Sequence, residues 1–114
     1  MGEEAKTFAE QLTKKLEAAG SANLLEQTGA AIKLYEEIIK QEVPSIDDLN
    51  EETIRAKEQA TYRLAAIYRE KGLVEELISL TKAVLPLYVD FPKSKLAKII
   101  RTLFDQAMKI EGRF

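Results

Sequence analysis

Between residues 51 and 105 apolar side chains recur at steps of three and four, interrupted only by Gly72, Pro86 and Pro92. On a helix of 3.6 residues per turn, that spacing gathers them into one stripe. A helix with one apolar stripe is stable mainly through the surface it packs against. The segment therefore has to fold as a helical hairpin turning at Gly72, with a further helix after Pro92. With only 5 Gly and 3 Pro in 114 residues, the chain has few places to turn, so its elements must be long.

The pattern extends to the whole chain. A first helix is predicted over residues 3–19, with Ala5, Phe8, Leu12, Leu16 and Ala19 as its stripe and Gly20 as a left-handed C-cap. Ser21 or Asn23 then caps a second helix over 23–42, whose face is Leu24, Leu25, Thr28, Ala31, Ile32, Tyr35, Ile38 and Ile39. Val43-Pro44 ends it, because the residue before a proline is pushed out of the helical region. The acidic stretch 44–50 reads as a loop, and Asn50 or Asp48 caps a third helix over 51–71. Ile54, Thr61, Leu64, Ala65 and Tyr68 form its inner face.

Gly72 stops the third helix, and a fourth follows over 73–88. Val74, Leu77, Ile78, Thr81, Val84 and Leu85 are its expected buried residues, and Pro86 kinks or ends it. The fifth helix carries Leu96, Ile99, Ile100, Leu103, Phe104 and Ala107 on one face, with Lys93, Lys95, Lys98 and Arg101 mainly on the other. It has no following partner in the sequence, and Phe114 is apolar. The chain, residues 1–114, is therefore expected to be a single fragment of something longer.

Composition removes most chemistry. The chain has no His and no Cys, which excludes serine–histidine and thiolate catalysis, disulfides and the commonest metal ligands. The carboxylate pairs Glu36-Glu37, Glu51-Glu52 and Glu75-Glu76 are sequence neighbours, pointing about 100° apart on a helix, and read as solvated faces or helix-start charges. Gly20, Gly29 and Gly72 are isolated, so no phosphate loop exists. The tyrosines Tyr35 and Tyr68 fall on core faces, so packing rather than stacking on a ligand accounts for them. No apolar run is long enough for a membrane span. The Met-Gly start has Lys6 where a myristoylation signal wants Ser or Thr. No catalytic, cofactor or metal site is expected.

Charge is unevenly spread. Residues 1–52 carry 12 acidic and 5 basic side chains, a balance of −7, whereas residues 53–114 carry 7 and 12, a balance of +5. Such a dipole fits head-to-tail stacking, an oriented protein partner, or a plain solvated gradient. The net charge of −2 argues against polyanion binding, so no nucleic acid is expected as partner. The candidate partner-binding residues are Glu3, Glu4, Lys6 and Glu10 on the polar face of the first helix, and Lys93, Lys95, Lys98 and Arg101 on the fifth.

The hairpins are similar to tetratricopeptide repeats. In Ala31-x3-Tyr35-x2-Ile38 and around Ala65 and Tyr68, a small residue lets helices approach and an aromatic fills the space behind. Ala31 and Leu77 hold equivalent positions 46 residues apart, against about 34 in a strict array, so the units are tetratricopeptide-like and not a regular repeat.

A more specific resemblance rests on Ile54-Arg55-Ala56-Lys57-Glu58-Gln59, then Leu64, Pro86 and the run Lys93-x-Lys95-x2-Lys98-x2-Arg101-x3-Asp105. These resemble the N-terminal region of the family of non-ATPase regulatory subunit 11 of the 26S proteasome, a lid subunit of the solenoid-plus-PCI class. Leu85-Pro86-Leu87 stands where that family has Arg-Pro-Phe, and Ile99-Ile100-Arg101 where it has Leu-Val-Arg. The likeness covers residues 53–110; over 1–50 only the hairpin pattern agrees.

The resemblance implies an all-α, right-handed α-solenoid of about five helices, without the PCI module. It implies a non-enzymatic scaffold in ubiquitin-dependent degradation, in cytoplasm and nucleus. The implied partners are the core particle α-ring, the ATPase ring and other lid subunits, with self-association of the truncated fragment expected. The alternatives are the paralogous second subunit of the COP9 signalosome and a free-standing peptide-binding adaptor.

Overall fold

The structure, a computed structural model, describes residues 7–110. Among them it is all-helical, with α1 Phe8–Leu24, α2 Thr28–Lys40, α3 Glu51–Glu70, α4 Val74–Leu87 and α5 Lys93–Met108, plus a 3-10 turn at Ile46–Asp48. The chain divides inside α3 into two compact units, Met1–Ala60 and Thr61–Phe114.

In the first unit α1 and α2 pack as a hairpin. α1 begins at a capping box: the Thr7 hydroxyl accepts from the Glu10 N–H at 3.0 Å, and the Glu10 carboxylate accepts from the Thr7 N–H at 2.9 Å. The Thr-x-x-Glu signature stood in the sequence, but the stripe drew the expected start to residue 3; Glu3, Glu4, Ala5 and Lys6 lie outside the described residues. α1 also runs past its expected end. Gly20, Ser21 and Asn23 are helical, so none of them caps anything. Gly in a helix costs roughly 1 kcal/mol relative to Ala. Ala19 and Ala22, on either side of Gly20, are buried and hold the helix together there.

The reversal comes at Glu26, which takes φ 63°. The Gln27 N–H bonds the Ala22 carbonyl at 2.8 Å and the Glu26 N–H bonds the Asn23 carbonyl at 3.0 Å. This is the paired bond pattern of a Schellman turn. Leu24 and Leu25, assigned above to the inner face of helix two, are instead the last residue of α1 and the first of the turn, and are 85% and 69% exposed. In α2, Ala31, Tyr35, Ile38 and Ile39 are buried as expected.

Asn50 caps α3, its side-chain oxygen accepting from the Thr53 N–H at 2.9 Å. The Thr53 hydroxyl donates to the Asp48 carbonyl at 2.7 Å, tying the acidic loop to the helix start. One turn later Lys57 lies on the buried stripe, 3% exposed. Its ammonium donates to the carbonyls of Ile38 at 2.7 Å, Ile39 at 3.3 Å and Gln41 at 2.7 Å. These are carbonyls at the C-terminal end of α2, which lack partners within their own helix. Burial pulls the Lys57 pKa down to about 8. The carbonyls and the negative end of the helix favour the charged form, so the side chain is an ammonium at neutral pH.

In the second unit α3 ends at a second Schellman turn, with Gly72 at φ 70°. The Leu73 N–H reaches the Tyr68 carbonyl at 2.9 Å and the Gly72 N–H the Arg69 carbonyl at 3.1 Å. Leu64, Ala65 and Tyr68 of α3 are buried, as are Val74, Leu77 and Val84 of α4. Ile78 and Leu85, expected inside, are partly exposed, and Leu80 takes the buried place. Leu80 stands three residues after Leu77 and four before Val84, so the buried stripe turns through it. Pro86 lies within α4, which ends one residue later at Leu87. Tyr88 is buried, its hydroxyl 2.7 Å from that of Thr61 and its ring stacked on Phe91 with centroids 4.3 Å apart. Burial raises its pKa, with the Thr61 bond acting the other way. α5 packs on α4 through Ile99, Leu103 and Ala107.

The two turns make opposite predictions. Gly72→Ala forces a side chain into a left-handed residue and is expected to cost about 1 kcal/mol, whereas Glu26→Gly relieves the same constraint and gains about 0.5 kcal/mol. Chemical denaturation of both variants reads this directly; destabilisation by Glu26→Gly contradicts it.

Lys57 gives a pH signature. Its folded pKa of about 8 lies below the ordinary 10.5. The unfolded chain therefore holds the extra proton between those values, and the wild type gains stability as pH rises through that window. Lys57→Met is expected to cost about 1–2 kcal/mol at pH 7, by leaving α2 carbonyls without donors. Its deficit relative to wild type then widens by roughly 1–3 kcal/mol towards pH 10. Urea melts of both proteins at pH 7 and pH 9.5 test this, and a deficit that shrinks with pH refutes the assignment.

Candidate protein-interaction surface

The fifth helix positions the basic candidates. At 100° per residue, consecutive apolar pairs such as Ile99-Ile100 and Leu103-Phe104 spread over a wide arc, and in α5 only the first of each pair is fully buried. Ile99, Leu103 and Ala107 are buried, while Ile100 is half-buried and Phe104 is 59% exposed. The single apolar face read from the sequence is therefore two adjacent faces. One packs against α4. The other, made by Leu96, Ala97, Ile100 and Phe104, looks outward.

That outer face and Leu85 of α4 line an open depression of about 600 Å³, completed by Lys93 and Arg101. Of the four basic candidates on α5, the structure brings two to this groove. Lys98 is exposed and Lys95 half-buried, and neither lines it. Lys93, Ala97 and Arg101 stand four residues apart, and so do Leu96, Ile100 and Phe104. Residues at that spacing form the ridges between which another helix lays its own side chains. Lys93 and Arg101 make no ion pair among the described residues.

Of the first-helix candidates only Glu10 is described. It is exposed, and its carboxylate is engaged in the capping box. Its part in starting α1 accounts for its position without a partner. Sequence reading used Lys57 only as part of the resemblance and missed its burial, although it stands four residues after Thr53 and four before Thr61, on the stripe that proved buried. Lys57 and Glu58, the first two residues of the Lys-Glu-Gln segment, are both buried. What that segment supplies in this unit is the amine that closes the end of α2.

Comparison with known proteins follows the same residues. No solved structure matches the chain. A probable 26S proteasome regulatory subunit rpn6 from Schizosaccharomyces pombe is 33% identical over 91 residues, covering 80% of this chain and 21% of that protein. The chain thus spans about a fifth of the length of this curated relative. Residues 12–113 match the family described as the 26S proteasome regulatory subunit RPN6 N-terminal domain, so the likeness reaches through the first half as well as the second. With that match extending over α1 to α5, the chain belongs to the family of the 26S proteasome regulatory subunit RPN6 N-terminal domain.

Proposed function

We propose that the chain is the N-terminal helical segment of a proteasome lid subunit, non-ATPase regulatory subunit 11, and works as a scaffold through protein–protein contact. The family match over residues 12–113 carries this reading. It also favours the lid subunit over a signalosome subunit or a free-standing peptide-binding adaptor. In this reading the segment catalyses nothing. It helps hold the lid to the core particle α-ring and the ATPase ring, in cytoplasm and nucleus.

The physical support is the kind of surface the helices leave. Packed hairpins present fixed side-chain arrays to a partner at little conformational cost. The charge gradient from −7 over residues 1–52 to +5 over residues 53–114 supplies orientation during encounter.

Purified core particle and ATPase ring, passed over the immobilised chain, test the reading. We expect retention at about 50 mM salt that falls severalfold by about 300 mM, as surface charge is screened. Charge reversal at the exposed Lys93, Lys98 and Arg101 is expected to reduce it further. Retention of neither assembly at low salt contradicts the scaffold role for this segment.

A further inference from the structure

We draw no further inference here: the strongest candidate, the outer face of α5 made by Leu96, Ala97, Ile100 and Phe104 beside Leu85 of α4, is an unpartnered apolar face, and nothing in the structure shows what covers it.

Discussion

A lysine ammonium removed from water is costly, and a structure that keeps one buried must give it partners. Lys57 obtains them from the end of α2, where the carbonyls of Ile38, Ile39 and Gln41 have no helical N–H to accept from. Each side meets the other's need: α2 gains donors at its C-terminal end and the ammonium gains acceptors. The geometry also fixes position. Three carbonyls from one helix end converge on one nitrogen, so α3 is held in register against α2 at that point. The buried Ala31, Tyr35 and Ile38 of α2 and Ala56 and Ala60 of α3 add apolar burial, which is non-directional.

How much of this was legible in the sequence depends on the kind of signal. The number of helices and most of the buried positions follow from periodicity, which reads burial directly. Gly72 was legible because the left-handed residue of a Schellman turn is normally glycine. The equivalent turn after α1 was not, because Glu26 occupies that place and Gly20 offered a more ordinary stop six residues earlier. Buried alanines outweighed glycine's propensity there. Lys57 was illegible for a similar reason: lysine is expected on the solvated side, and only its tertiary partners make the buried position tolerable.

The surface candidates were read by charge alone, and charge does not reveal shape. Lys93, Lys95, Lys98 and Arg101 look like one basic face when written as a line. On the folded helix only Lys93 and Arg101 border an apolar trough. What separates them is the neighbouring apolar face, and that face was hidden because Ile100 and Phe104 had been counted into the core with Ile99 and Leu103. The family comparison assigns the chain as a whole, but it names no contact. The distinction between the two pairs of cations comes from the packing of α5 on α4.

An exposed apolar face on a helix that also has a buried one is a liability if it is left bare. α5 limits that liability with its own sequence. Ala97 reduces the apolar area at the centre, and Lys93 and Arg101 extend charged head groups from methylene stems at the edge. The same arrangement sets what the face accepts. Apolar area attracts any helix of suitable width, while two cations bordering it discriminate by sign at little cost to attraction, because they remain hydrated at the rim. Such a face combines solubility while uncovered with selectivity once covered. In α5 the two arise from the same residues, so a substitution at Lys93 or Arg101 alters both together.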